Sequence, residues 1–312
     1  MASGERTWTP ERVVALVVPL AWVALAFTSG DAIADALDGR STAVQVVGAA
    51  GAWGGWAATL VALLVPRTST LTAARLAVPA ALPVTVAAVV AAGEASPTAV
   101  AGLALAAALL VAVLSAPVGA RFANGSSYGD EQRFLLRPPL ALVAGPVELL
   151  WAVMVTTAVA GPLLLAAEQW VAGGIVAALA AGTWWFGVRS LHGLARRWVV
   201  LVPAGLVLHD PTALLDTVLV QRGQLARLGP ADADTTATDL TLGAAGLALE
   251  LELTAPTEVL ALTARGFGAS AVEARPGLED TTERLLLERI LFTPSRPGAL
   301  LRAARGHRLP IA

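Results

Sequence analysis

Glu148 is the one acidic residue deep inside an apolar stretch of this chain. Counted from Leu140 it lies eight residues in, about 12 Å along a helix that rises 1.5 Å per residue. An ionised carboxylate at that depth is expensive, so it must be neutral, hydrated or paired. Gly145 and Pro146 precede it, and Gly161 and Pro162 lie further on. Prolines free carbonyls and bend helices, which makes Glu148 the candidate proton or cation site of a broken helix. The plainer alternative is an interhelical bond to Arg75, Gln45 or Thr157. Transporters generally show more than one such residue and paired broken helices, which favours the structural alternative. Arg75, about one turn into the third apolar stretch, either snorkels to the interface or partners Glu148.

Other chemistry is sparse. Gly125-Ser126-Ser127-Tyr128-Gly129 matches Gly-x-Ser-x-Gly, but the nucleophile elbow needs a strand-to-helix turn on a hydrolase sheet, and none is expected here. The histidines His192, His209 and His307 are too widely separated for a metal-ligand pattern. With 0 cysteines, disulfides, thiolate metal sites and thiol nucleophiles are excluded. No phosphate-binding loop or dinucleotide fingerprint occurs. The expectation is therefore no cofactor, no metal and no catalytic residues.

Two features concern contact rather than catalysis. Gly51 and Gly55 form a Gly-x-x-x-Gly pair, and Gly174, Ala178 and Gly182 form a second small-residue ridge; both permit close helix approach, expected within the chain rather than between chains. Arg296, Arg302, Arg305 and Arg308 follow the last acid, Glu288, among Leu300, Leu301 and Leu309. Such a tail could rest on anionic headgroups, each arginine near the surface contributing about 1 kcal/mol; the alternative is a solvated basic terminus.

The elements that must position these residues are read from hydropathy. Of 312 residues, 56% are hydrophobic and 14% charged, and the mean hydropathy is +0.69. A soluble domain carries about 25% charged residues, so lipid is part of the solvent. A bilayer core needs about 20 apolar residues of helix. Stretches of that kind run over about 13–28, 43–65, 71–92, 99–118, 140–166 and 170–188. Trp8, Trp170, Trp184, Trp185 and Trp198 stand near the expected helix ends, as an aromatic belt would. Trp53, Trp56 and Trp151 are expected to pack between helices.

All 21 basic residues are arginine, and those of the first two-thirds fall almost entirely in every second gap. Arg6 and Arg12 precede the first stretch; Arg67 and Arg75 lie around the second gap; Arg121, Arg133 and Arg137 fill the fourth; Arg189, Arg196 and Arg197 follow the sixth. Arg40 is outnumbered in its gap by Asp31, Asp35 and Asp38. The positive-inside rule then puts both termini in the cytoplasm of a multi-pass protein of the cell membrane. At a net charge of −2, bulk charge argues against nucleic-acid binding.

Two domains are expected: a six-helix transmembrane block over 1–197 and a cytoplasmic domain over 198–312. The fourth gap, Gly119–Pro139, reads as a loop in which Gln132–Leu136 lies along the membrane surface. After Arg197 the pattern turns to alternation. Trp198–Pro203 and Leu206–His209 flank a tight turn at Ala204-Gly205; Thr217–Gln221 and Gln224–Leu228 follow. Leu247, Leu249, Leu251 and Leu253 alternate with polar or small residues and read as a half-buried strand. Glu258–Thr263 would pair with it across Ala255-Pro256-Thr257. A helix capped by Asp280 or Thr281 would run to Phe292 with Leu285, Leu286, Ile290 and Leu291 on its apolar side, followed by a short helix over Gly298–Arg305.

The runs RWVVLVPAGLVLHDP and DTVLVQRGQLARL resemble the opening of bacterial pleckstrin-homology-like domains attached to membrane helices, and LFTPSRPGALLRAA is similar to the endings of actinobacterial members. The arginine-only, Ala/Val/Leu-rich composition is also similar to that of GC-rich genomes. The resemblance covers the last third and implies a split β-barrel with a C-terminal helix, not a reaction. Together these readings give a non-enzymatic scaffold or regulator whose cytoplasmic domain binds a protein partner or the lipid surface. The alternative is a small proton- or cation-coupled transporter or permease subunit using Glu148.

Overall fold

Runs of Ala, Val and Leu offer water nothing and leave the backbone to satisfy itself, which only a helix does within one segment. The computed structural model describes residues 10–262 and 282–312. Among the described residues, six helices are long and apolar enough to cross a membrane. They are α1 Pro10–Leu37, α2 Thr42–Leu64, α3 Thr68–Ala92, α4 Pro97–Leu114, the span Leu140–Ala166 and the final helix Trp170–Ala195. Their outward faces carry Leu16, Leu20, Phe27, Val90, Val111, Val171 and Ile175, all exposed, a surface suited to lipid rather than water. These features mark a multi-pass membrane protein.

The boundaries differ from the hydropathy reading where a charge was mistaken for a stop. Helix α1 continues past Thr28 through Gly30, Asp31 and Asp35 to Leu37, and Gly39, at φ 68°, follows its end. The final helix likewise extends through Arg189 to Ala195. The expected loop Gly119–Pro139 begins as helix α5, Ala116–Asn124, which buries Val118, Phe122 and Ala123. Ser115, at φ −67° and ψ 151°, breaks it from α4. The fifth span is interrupted: α6, Leu140–Val143, stops before Gly145 at φ 157°, and α7 runs Pro146–Ala166. Helix α8 is Trp170–Ala195.

The chain forms two compact units, residues 1–126 with 148–191, and residues 127–147 with 192–312. The second unit thus takes in Ser127–Val147, a segment that hydropathy groups with the membrane block. Within the first, α1 and α2 are joined by a reciprocal clasp. Trp22 Nε1 donates to the Trp56 carbonyl at 3.0 Å, and Trp56 Nε1 donates to the Trp22 carbonyl at 3.1 Å. Trp151 Nε1 donates to the Leu76 carbonyl at 3.0 Å. Trp53, expected between helices, is 60% exposed.

The second unit holds two four-stranded sheets, and they do not close into a barrel. The first has the order β1-β2-β3-β4, with β1 Gln132–Leu135, β2 Trp198–Val202, β3 Gly205–His209 and β4 Val218–Gln221. The second runs β5-β7-β8-β6, from β5 Leu225–Pro230, β6 Thr238–Asp239, β7 Leu249–Leu262 and β8 Thr282–Phe292. Helix α9, Pro297–Gly306, follows. Leu249, Leu251, Leu287, Ile290, Phe292, Val199, Leu201, Leu206 and Leu208 form one core.

Three expectations for this region are overturned, and the expected β2–β3 hairpin has its turn one residue earlier. Gln132–Leu136 does not lie on a surface: Arg133 and Phe134 pair with Val200 and Val199 in an antiparallel ladder. The β2–β3 turn falls at Pro203-Ala204, since Val202 pairs with Gly205; Gly205 is needed there because a Cβ would lie 2.1 Å from the Val220 carbonyl oxygen. Ala255-Pro256-Thr257 is no hairpin, because β7 runs through it with a bulge between Glu252 and Thr257. The segment up to Phe292 is a strand rather than a helix; Asp280, Thr281 and Thr263 lie outside the described residues. In β8 the buried set is Leu287, Ile290 and Phe292, while Leu286 is 64% exposed. The shift in phase after Leu287 mimicked a helical period. The C-terminal helix is therefore α9, which buries Leu300 and Ala304.

Candidate functional site

Glu148 is the third residue of α7, not the ninth of a continuous helix, because the helix is interrupted before Pro146. An acid in the first turn complements the partial positive charge of a helix N-terminus. That is a local reason for its presence, and it weakens the argument from depth. Its residue is exposed on the helix surface. Trp151, one turn further along α7, donates to the carbonyl of Leu76 in α3, the residue after Arg75. Arg75 occupies the buried side of α3. Leu71, Thr72 and Val78, one turn before and after it, are 0%, 5% and 0% exposed. Its Nε is buried with no hydrogen-bond partner.

The small-residue ridges point outward. A Cβ built on Gly51, Gly55, Gly174 or Gly182 would meet nothing within 4 Å, and Ala178 is exposed. Among the described residues these positions make no close helix approach. Close approaches occur at other glycines, which no spacing rule singled out. A Cβ on Gly102 would lie 2.4 Å from Ser29 Oγ, and one on Gly187 would lie 2.2 Å from Met154 Sδ. Ser29 is itself buried and accepts from Thr85 Oγ1 at 3.3 Å.

The basic tail is folded onto its own unit. Leu300 and Leu309, which stand among the tail arginines, are 0% and 5% exposed in the core. Leu228 N donates to the Pro310 carbonyl at 2.9 Å, and Ala312 N to the Leu228 carbonyl at 3.0 Å, which extends the edge of β5. Arg302, Arg305 and Arg308 remain exposed, and Arg296 is partly buried.

A charged cluster that sequence reasoning missed lies at the start of β2. Arg197 Nε and Nη2 donate to Asp210 Oδ1 and Oδ2 at 2.8 and 2.7 Å, and Nη1 donates to the Arg137 carbonyl at 2.9 Å. Asp210 also accepts from Thr212 N at 3.1 Å and Thr212 Oγ1 at 2.6 Å. All three guanidinium nitrogens of Arg197 and both carboxylate oxygens of Asp210 are engaged within the fold, which is the pattern of a structural ion pair. Only the run of arginines Arg196-Arg197 and the acid before Pro211 hinted at it.

Beside it, Trp198 stacks on His209 with ring centroids 5.3 Å apart, and Arg133 lies 5.4 Å over the Trp198 ring. His209 Nδ1 is 2.8 Å from Thr217 Oγ1, and its Nε2 is buried without a partner. Burial pushes the His209 pKa below its ordinary value, Arg196 lowers it further, and Asp210 partly offsets both. Glu131 is held below the ordinary carboxylate range, first by the hydrogen bond from Arg133 Nε at 2.6 Å.

Ser127 of the Gly-x-Ser-x-Gly match follows helix α5 and precedes strand β1, the reverse of a nucleophile elbow. Among the described residues, no group of three His, Cys, Asp or Glu side chains is placed to hold a metal ion. No family model, curated protein or solved structure matches this chain.

Proposed function

We propose that this protein is a non-catalytic membrane scaffold or regulator whose β-rich unit, on the cytoplasmic face, binds a membrane-protein partner or the lipid surface. The observation that carries this reading is the pairing of β1 with β2. These neighbouring strands are joined through α7 and α8, so the folded unit is built from two segments that leave and re-enter a helical hairpin. That construction makes one sheet depend on both segments, which suits a recognition platform better than a linker. The concentration of Arg121, Arg133, Arg137, Arg189, Arg196 and Arg197 in the segments around it supports the cytoplasmic side. The order of strands followed by a terminal helix, with Leu300 and Ala304 in the shared core, supports a pleckstrin-homology-like relation even though the sheets stay open.

The test is affinity purification of the full chain from native membranes, with protein and lipid identification. A stoichiometric membrane-protein partner or enrichment of anionic lipid is expected. Recovery of the bare chain, with lipid in bulk-membrane proportions, rules the reading out. Orientation is checked separately. The chain has 0 cysteines, so a single Ser127→Cys or Ser41→Cys variant reports cleanly with a membrane-impermeant maleimide. Ser41→Cys is expected to label from outside and Ser127→Cys only after permeabilisation.

A further inference from the structure

The geometry points to Arg75 as the anion-binding residue of a phosphate site that opens at the Thr68 end of α3. Arg75 lies on the buried side of that helix, between Leu71 and Thr72 on one turn and Val78 and Pro79 on the next. Its Nε is buried and has no hydrogen-bond partner among the described residues. A guanidinium stays protonated at any physiological pH and carries five donors in a planar fork. Left in an apolar setting it demands an anion, and the fork matches two oxygens of a phosphate.

Position favours a ligand from the helix end rather than from the bilayer centre. At 1.5 Å per residue, Arg75 is about 10 Å along α3 from Thr68. A helix of 25 residues is about 37 Å long, against a hydrocarbon core of about 30 Å. The Arg75 backbone then sits about 7 Å inside the hydrocarbon edge, within reach of an extended arginine side chain. Helical side chains lean toward the N-terminus, so the guanidinium is directed toward Thr68. Helix α5 packs against α3 in the same unit and carries Arg121 in its last turn. On the far side of Arg75 the environment turns to acceptors. Pro79 and Pro83 supply no N–H to the carbonyls of Arg75 and Pro79, and those oxygens disfavour an anion there. The site is thus open to phosphate from one end only. The phosphate of an anionic phospholipid and inorganic phosphate share this chemistry.

Full-length protein, purified in detergent and stripped of lipid, distinguishes the two. Native mass spectrometry and thermal unfolding would follow titration with phosphatidylglycerol, phosphatidylcholine and inorganic phosphate. The variants are Arg75→Gln, Arg75→Lys and the exposed control Arg40→Gln. Phosphatidylglycerol binding to wild type and Arg40→Gln, weakened about tenfold or more in Arg75→Gln, identifies a lipid headgroup as the ligand. The same pattern with inorganic phosphate identifies a soluble anion. Wild type that binds neither, or Arg75→Gln that binds as wild type does, overturns the assignment. If Arg75→Gln does not fold, Arg75→Lys keeps the charge but loses the fork; phosphate affinity equal to wild type in that variant also overturns it.

Discussion

Arg197 and Asp210 form a two-pronged ion pair in the β-rich unit, at 2.8 and 2.7 Å, with each side chain 1% exposed. Arg197 is the second residue after α8 ends and immediately precedes β2. Its third nitrogen, Nη1, donates to the carbonyl of Arg137, two residues past the end of β1. One guanidinium therefore binds together the strand that leads into the helical hairpin and the strand that leads out of it.

Removing one member leaves a buried charge without its counter-ion, which costs about 3–5 kcal/mol. Asp210→Ala and Arg197→Met are each expected to lower the unfolding midpoint of the full chain sharply in chemical denaturation. The double variant should lose less than the sum of the two. Additive losses would show that the pair is not coupled as its geometry requires.

His209 gives the fold a pH dependence of defined sign. Its pKa is lowered from 6.5 by burial first and by Arg196 second, so the unfolded chain takes up the proton more readily than the folded one. The stabilisation is fully present above the ordinary value of 6.5 and declines as pH falls through it toward the lowered folded value. Thermal unfolding between about pH 5 and 8 should show the midpoint falling on the acid side. His209→Phe, which keeps an aromatic ring on Trp198, should flatten that slope.

Glycines at close crossings and glycines facing outward should behave oppositely. Gly102→Val drives a side chain into Ser29, 2.4 Å from where its Cβ would sit, and overpacking of this kind costs about 1–3 kcal/mol. Gly174→Ala meets nothing within 4 Å and should be neutral or slightly stabilising, since alanine is the better helix former. Thermal unfolding in detergent checks both. Loss of stability in Gly174→Ala would reveal a contact made by that face.

A fragment comprising residues 198–312 lacks β1, Arg137 and Arg197, and should not unfold cooperatively. Adding residues 127–139 and 192–197 through a short glycine-rich linker restores the β1–β2 ladder and should recover a cooperative transition. Circular dichroism melts of the two fragments decide this. A sharp transition in the shorter one would show that β1 is dispensable.

What the sequence determined by itself was the part governed by solvent and local period. Six apolar runs stand out because lipid-buried backbone has no alternative to helix, and Leu249, Leu251 and Leu253 reveal a half-buried strand through their own alternation. What the tertiary structure decided was everything that depended on a distant partner. Gln132–Leu135 is too short and too mixed to declare itself a strand, and becomes one because Trp198–Leu201 offers it a ladder. Thr282–Phe292 carries a pattern that fits a helix until β7 pairs with it through a bulge. Glu148 looked deep because hydropathy runs on through Gly145, whereas the backbone breaks there and leaves it in a first turn. Arg197 and Asp210 lie 13 residues apart with nothing local to join them. Only the antiparallel return of β3 beside β2 brings the aspartate to the arginine, because register, not spacing along the chain, sets which side chains meet in a sheet.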